Sequence, residues 1–252
     1  MSQKPLVSII TPAYNAARFI AETIDSVQAQ TFQDWELIIA DDGSKDDTLQ
    51  IITQYAAGDH RIKLVRLPGN SGPARARNAA LEKATGRYVC FLDSDDIWLP
   101  NKLQVQLDFL RSKNAAFCFS QFRRITQDGS QTGRLIPVPE RVNYRTLLKH
   151  NVIATLTTMI DTEKTGPLHM TDEGYDDFIC WLGIVRRGHD AFGIQQDLAR
   201  YRVVEGSVSN KRMRAIKWVW NIYRNVEKLP LPVAFWIFAN YAARTSLKHR
   251  QF

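Results

Sequence analysis

From Leu6 to Leu92 the chain alternates short apolar runs with longer stretches of helical spacing. Leu6–Thr11, Trp35–Ala40, Ile62–Leu67 and Tyr88–Leu92 are strand-length and rich in aliphatic and aromatic residues. Between them Phe19, Ile20, Thr23, Ile24 and Val27 repeat at helical intervals, as do Leu49, Ile52 and Tyr55. A third helix is expected from the turn at Asn70–Pro73 to Ala84, with Gly86 ending it. Pro12–Asn15 should break the first strand, with Asn15 as helix N-cap, and Ser44-x-x-Asp47 resembles a capping box with Asp in place of Glu. Strands alternating with helices of about ten to fifteen residues predict a mostly parallel sheet with right-handed crossovers, an α/β fold.

Beyond residue 100 the pattern loosens. Pro100–Ser112 reads as a helix, Ala115–Ile125 as a strand, Asp128-Gly129 as a turn and residues 130–143 as an exposed loop. Tyr144–His150 is a short helix and Ile153–Ile160 a strand, before a polar break at Thr162–Pro167. Phe178, Trp181, Leu182 and Val185 mark a helix whose first turn carries Asp176-Asp177, where acids suit the helix dipole. Leu198–Val203 is the expected last strand, closing a domain over residues 1–210.

The ends of the apolar runs are unusually polar. Tyr88–Leu92 runs straight into Asp93, Asp95 and Asp96. A strand buried on both faces cannot hide these acids, so they emerge at its carboxyl end, where parallel sheets bind ligands. Carboxylates two residues apart can reach one hard cation; they can also simply cap the following helix, and this stretch alone leaves both open. Pro12–Tyr14 and Asp41-Asp42 follow the first and second strands in the same way. In one parallel sheet Tyr14, Asp42 and Asp95 therefore converge on one edge. Tyr14 offers a stacking face, Asp42 an acceptor for a ring N–H, and Asp93 an acceptor for ribose hydroxyls. Asp95 suits Mg2+ or Mn2+, and Arg75 or Arg77 suits phosphates. The set describes a nucleoside diphosphate held against a metal. Neither a Gly-x-Gly-x-x-Gly nor a Gly-Lys-Ser/Thr loop is present.

The segments Ser8–Asn15, Ser26-x-x-x-Gln30-Thr31, Trp35–Ile38 with Asp41–Ser44, Gly72-x-x-x-Ala76-Arg77-Asn78 and Phe91–Asp96 together resemble the family 2 glycosyltransferases of the GT-A fold. The resemblance implies a nucleotide-sugar donor, a UDP-sugar foremost, a divalent cation and inversion at the anomeric carbon. It implies nucleoside contacts at Pro12, Tyr14 and Asp42, a DxD pair at Asp93 and Asp95 with Asp95 as metal ligand, and a general base at Asp177. Where the family usually has Glu-Asp, this chain has Asp176-Asp177. Asp41 and Asp96 are expected in structural roles. Glu205–Ser209, after Tyr201-Arg202, resembles a segment near the donor diphosphate. Similarity to enzymes of teichuronic acid, capsule and O-antigen assembly implies a saccharide or lipid-linked saccharide acceptor. Two other readings are a nucleotide-sugar binder without turnover and a transferase onto polyprenyl phosphate.

Charge separates the tail from the domain. Residues 211–252 hold nine Lys/Arg and a single acid, Glu227, whereas the first 210 residues hold 24 basic and 25 acidic side chains. Met213, Ile216, Val219, Trp220 and Tyr223 form an apolar stripe, and Leu229–Ala243 carries no charge. The uncharged segment is too short to span a bilayer, but a basic amphipathic tail with tryptophans suits a membrane surface or packing on the domain. No nucleic-acid-binding module accompanies the charge. Cys90, Cys118 and Cys180 lack metal-site spacing and are expected to be reduced core residues. Met1–Pro5 lead directly into the first strand, as expected of a cytoplasmic chain without a signal peptide, peripheral on the membrane if the tail attaches.

Overall fold

The computed structural model describes residues 4–204 and 212–248. In chain order these form β1 (Val7–Ala13), α1 (Ile20–Gln28), β2 (Trp35–Asp41), α2 (Thr48–Gly58), β3 (Ile62–Arg66), α3 (Pro73–Leu81) and β4 (Tyr88–Phe91). Then come β5 (Ile97–Trp98), α4 (Lys102–Ser112), β6 (Phe117–Ile125), β7 (Thr132–Ile136), β8 (Arg141–Val142), α5 (Tyr144–Lys149), β9 (Met159–Asp161) and α6 (Thr162–Thr165). The chain continues through α7 (Asp176–Arg186), β10 (Ala191–Arg202), α8 (Arg212–Asn221) and α9 (Leu231–Lys248).

The strands form one sheet in the order β3-β2-β1-β4-β9-β6-β10-β5, with β7 added to β6 and β8 to β10. β1 pairs in parallel with both β2 and β4, and β2 with β3, so their carboxyl ends share one edge. Successive residues of these strands enter opposite cores. Ile10, Ile38 and Phe91 pack with α3, α7 and the tail helices. Ile9, Leu37 and Cys90 pack with α1 and α4. Burial on both faces explains why these strands read as unbroken apolar runs.

Several local expectations are corrected. β1 continues through Pro12, which pairs with Ala40, because the β-region φ of proline fits a strand terminus. Asn15 is not a cap: it adopts a left-handed φ of 48°, its Oδ1 accepts from the Lys45 amide at 2.8 Å, and α1 starts at Ile20. Ser44 accepts from the Asn15 amide rather than capping α2, whose first N–H, that of Thr48, goes to Asp46. Residues 130–143 are not simply an exposed loop; they contain β7 and β8, antiparallel to β6 and β10. Ile153–Ile160 shrinks to a 3-10 turn at Thr155–Thr157 and the short β9, because Gln106 takes the Thr157 carbonyl at 2.7 Å in place of a ladder bond. The polar break at Thr162–Pro167 holds α6, and the last strand begins at Ala191, well before Leu198.

The tail helices lie against the α3/α7 side. Val219, Ile222, Tyr223, Ala234 and Ile237 share a core with Phe178 and Trp181. The three cysteines are free and buried. Glu205–Ser209, and the side chains of Met213 and Ile216, lie outside the described residues.

Candidate active site

The edge formed by the carboxyl ends of β1, β2 and β4 is where the polar tips gather. Tyr14 follows β1 and is 43% exposed. One residue after β2, the Asp42 amide donates to the Ala13 carbonyl at 2.8 Å, which fixes the two tips side by side. The Asp42 side chain is buried, and it anchors the start of α3. Its Oδ1 accepts from the Ser71 amide at 2.8 Å and the Ser71 hydroxyl at 2.7 Å, and its Oδ2 from the Gly72 amide at 2.8 Å. A carboxylate has about four lone-pair positions, so Oδ2 retains room for one further donor. Gly43, at φ +73°, lets the same tip touch the 69–72 loop, since a Cβ there would lie 2.6 Å from the Gly69 Cα.

α3 then carries Arg77 beneath the edge. Its guanidinium is buried and forked between two acids: Nη2 lies 2.5 Å from Asp93 Oδ1 and Nη1 2.7 Å from Asp176 Oδ2. Burial opposes the charge, but the attraction of Asp93 and Asp176 prevails and drives the Arg77 pKa above its ordinary value. The tip of β4 and the start of α7 are thereby joined, although they are remote in sequence. Arg75, by contrast, pairs with Asp172 on the exposed rim at 2.6 Å.

Asp93, Asp95 and Asp96 follow β4 in one turn and have different surroundings. Asp96 is buried, and its Oδ1 accepts from the Arg202 amide at 2.9 Å, a tie to β10. Burial and the charges of Asp95 and Asp93 push its pKa up. Arg202 braces the turn further, donating from Nε to the Asp95 carbonyl at 2.8 Å and from Nη2 to Glu22 at 2.5 Å. The Asp95 carboxylate has its own backbone N–H as donor, and loss of solvation followed by repulsion from Asp93 raises its pKa to about 6.

This donor set fits a hard cation. Mg2+ and Mn2+ take carboxylate oxygen, and an acid destabilised by burial and a like charge gains most from a cation. Among the described residues no group of three or more His, Cys, Asp or Glu could hold a metal ion alone. The protein's share would therefore be one or two carboxylates, with phosphates and water completing the shell.

Asp177 lies beside this cluster in the first turn of α7. Its Oδ2 accepts from the Thr155 hydroxyl at 2.7 Å and its Oδ1 from the Phe178 amide at 2.6 Å. Desolvation, then the charge of Asp176, raises its pKa to about 6. The turn before it is held from the tail: Tyr175 has a left-handed φ of 48°, and its ring meets Trp218 of α8 edge-on at 5.4 Å. Thr155, Arg202, the Ser71–Gly72 amides and Trp218 support the site without carrying a sequence signal of their own. Of these, Ser71 and Gly72 open the Gly72-x-x-x-Ala76-Arg77-Asn78 segment, and Arg202 precedes Glu205–Ser209.

The structure thus brings together Arg77, Asp93, Asp95, Asp176 and Asp177, and places Pro12, Tyr14 and Asp42 on adjoining strand tips of the same edge. Residues 8–166 match the family described as Glycosyl transferase family 2. The chain is 44% identical over 248 residues to TuaG of Bacillus subtilis (strain 168), a glycosyltransferase provisionally named for teichuronic acid biosynthesis, with 98% of each chain covered. It is 34% identical to WfgD of Escherichia coli, named UDP-Glc:alpha-D-GlcNAc-diphosphoundecaprenol beta-1,3-glucosyltransferase, with 97% of this chain and 95% of that one covered. Among solved structures, S. aureus TarS 1-349 in complex with UDP-GlcNAc is similar at TM-score 0.72 and 21% identity, over 95% of this chain and 72% of that one. Mannosyltransferase PcManGT from Pyrobaculum calidifontis, in complex with GDP-Man and Mn2+, is similar at TM-score 0.68 and 19% identity, over 99% of this chain and 76% of that one. The architecture is that of the GT-A glycosyltransferases. The chain belongs to glycosyltransferase family 2 and is an enzyme of that class.

Proposed function

We propose that this enzyme moves a sugar from a UDP-sugar, with inversion, onto a hydroxyl of a lipid-linked saccharide during assembly of a cell-surface polysaccharide. The observation that carries the reading is the Arg77 fork. It sets the Asp93 end of the DxD turn and the Asp176-Asp177 pair on opposite sides of one guanidinium. A leaving diphosphate and an attacking hydroxyl need such a division, with positive charge on one side and a proton acceptor on the other.

In this reading Tyr14 stacks on the uracil ring, Asp42 Oδ2 accepts from the ring N–H, Pro12 shapes the same wall and Asp93 faces the ribose. Asp95 holds Mn2+ or Mg2+, which when bound supplies charge compensation for the diphosphate. Asp177 takes the proton of the acceptor hydroxyl while that oxygen bonds to the anomeric carbon. The bond from the anomeric carbon to the diphosphate oxygen breaks, and its electron pair leaves with the diphosphate. Thr155 and the Phe178 amide keep the Asp177 carboxylate oriented for this transfer.

A sugar hydroxyl is favoured over polyprenyl phosphate as acceptor by the names of WfgD and of WfaP (35% identical), which describe transfer to alpha-D-GlcNAc-diphosphoundecaprenol. In this reading the enzyme works at the cytoplasmic face of a membrane that carries such an acceptor. No helix of the described residues is long and apolar enough to cross one. The test is a screen of UDP-sugars, UDP-Glc and UDP-GlcNAc first, with Mn2+ or Mg2+ and a GlcNAc-diphospholipid. A new glycosidic product with inverted anomeric configuration is expected. Nucleotide binding without transfer or hydrolysis of any donor would overturn the reading in favour of a binder.

A further inference from the structure

Five large apolar side chains are exposed among the described residues, and four of them fall within one short stretch of α9: Leu231 (52%), Val233 (43%), Phe235 (61%) and Trp236 (58%). At 100° per residue, Leu231, Pro232, Phe235, Trp236 and Ala239 share one side of the helix, and Val233 stands at its border. Ala234, Ile237, Phe238 and Tyr241 share the opposite side and pack into the core. The start of α9 is therefore apolar all round, a composition stable only inside a protein or in a lipid surface, and the fold covers one half of it.

The rim of the uncovered half is cationic. α5 packs against α9, and Lys149 Nζ lies 4.9 Å from the centre of the Trp236 ring. Arg145, one turn earlier on α5, and Lys228, just before α9, are exposed. Across residues 144–150 and 212–248 the only acid is Glu227. Its side chain is 2% exposed, turned inward to the Tyr144 hydroxyl and Arg186. Aromatic and aliphatic side chains exposed on a helix, flanked by Lys and Arg and with no exposed acid on α5 or the tail helices themselves, match the interface of an anionic bilayer.

We propose that the Leu231–Trp236 face of α9 docks this enzyme on an anionic lipid surface, its side chains entering the headgroup boundary and Arg145, Lys149 and Lys228 meeting lipid phosphates. The attachment borrows from the proposed function only that a membrane is present, and it does not depend on donor or acceptor identity.

The experiment uses the full chain and vesicles of phosphatidylglycerol with phosphatidylcholine, or of phosphatidylcholine alone. The wild type should co-sediment with the anionic vesicles and dissociate at high salt. Leu231→Ser with Val233→Ser should lower the partition coefficient roughly tenfold or more, with Arg145→Gln and Lys228→Gln giving a smaller loss. Circular dichroism and nucleotide binding should be unchanged in each, since none of these side chains reaches the site. A folded double variant that partitions like the wild type overturns the proposal. So does a wild type that ignores vesicles, or one that forms a dimer dispersed by the same substitutions. Transfer to a water-soluble acceptor, measured in parallel, reads the proposed function separately.

Discussion

Arg77 Nη1 lies 2.7 Å from Asp176 Oδ2 although the two residues are 99 positions apart. The same guanidinium reaches Asp93, so one buried fork ties the donor-side turn to the helix carrying the candidate base. Arg77→Lys keeps the charge but cannot reach two carboxylates at once. Turnover should fall about a hundredfold, a scale typical of lost orientation, with a smaller change in nucleotide affinity. Arg77→Gln should also unfold more easily, by about 1–3 kcal/mol, because it leaves two partly buried acids without their shared cation. Thermal melts and steady-state kinetics on both variants check this. Wild-type turnover in Arg77→Lys would remove the fork from catalysis.

As the proposed base, Asp177 should set an acid limit on turnover. Its pKa is held near 6, by burial first and by Asp176 second, with Arg77 pulling it down. A base must be ionised, so kcat/KM should fall as pH drops through about 6, and the limb should move upward in Arg77→Gln. The stability consequence has the opposite sense to a salt-bridged acid. A carboxyl with a raised folded pKa weakens the fold as pH rises from its ordinary value toward 6, and the penalty is complete above that. Asp177→Asn should therefore lose roughly 10²–10⁴ in turnover while melting higher at pH near 8 and no higher at pH near 4. A melting gain that persists at pH 4 would trace the change to something other than ionisation.

Asp95→Asn separates metal from fold. The carboxylate is destabilised in the free protein by burial and by Asp93, so its amide should fold at least as well. Titration calorimetry with Mn2+ and UDP together should show the cation's contribution to nucleotide affinity lost. Affinity that still rises on adding Mn2+ would move the cation elsewhere.

Asp42 has two tasks that one substitution should expose together. Three hydrogen bonds to Ser71 and Gly72 hold the start of α3, and Oδ2, with a single donor, keeps a lone-pair position for one more. Asp42→Ala should cost about 1–3 kcal/mol for the donors left without an acceptor, and should weaken UDP binding. Because α3 also carries Arg77, turnover should fall further than affinity. An unaltered Kd for UDP would confine Asp42 to the anchoring role.

The first half of the fold was legible because β1, β2 and β4 are covered on both faces, which writes them as uninterrupted apolar runs ending in polar tips. Asp93 and Asp95 stood out for the same reason: a run that stops in carboxylates has few places to put them. Asp177 did not, since acids at a helix start are ordinary, and only the resemblance to a known family singled it out. β7 and β8 were not legible. They are short added strands, TGRLI and RV, with Pro137 and Pro139 between them, and their pairing is fixed by the neighbours β6 and β10 rather than by their own pattern. Met159–Asp161 lost most of its expected length to Gln106, a side chain on another helix. The support of the site was invisible for a related reason. Thr155 and Trp218 act through contacts between remote segments, and nothing in their local sequence distinguishes them from any other threonine or tryptophan.

Gly174 is where the tail touches the turn that leads into the candidate base. It adopts φ +81°, and a Cβ built there would lie 2.4 Å from the Trp218 ring. Tyr175 follows in a left-handed conformation, its hydroxyl hydrogen-bonded to Tyr241 of α9, so α8 and α9 together grip the residues leading into Asp177. Gly174→Ala meets both obstacles, the positive φ and the ring, and should cost about 1–3 kcal/mol. If the grip positions Asp177, kcat should drop while KM for the nucleotide sugar stays near its wild-type value, since the proposed nucleoside contacts at Tyr14 and Asp42 stand on other elements. Trp218→Ala in the same background makes room for the methyl group and should recover part of the stability without recovering kcat, because the ring that braces Tyr175 is then gone. A Gly174→Ala enzyme with unchanged kcat would show that the tail packs on the domain without bearing on the reaction.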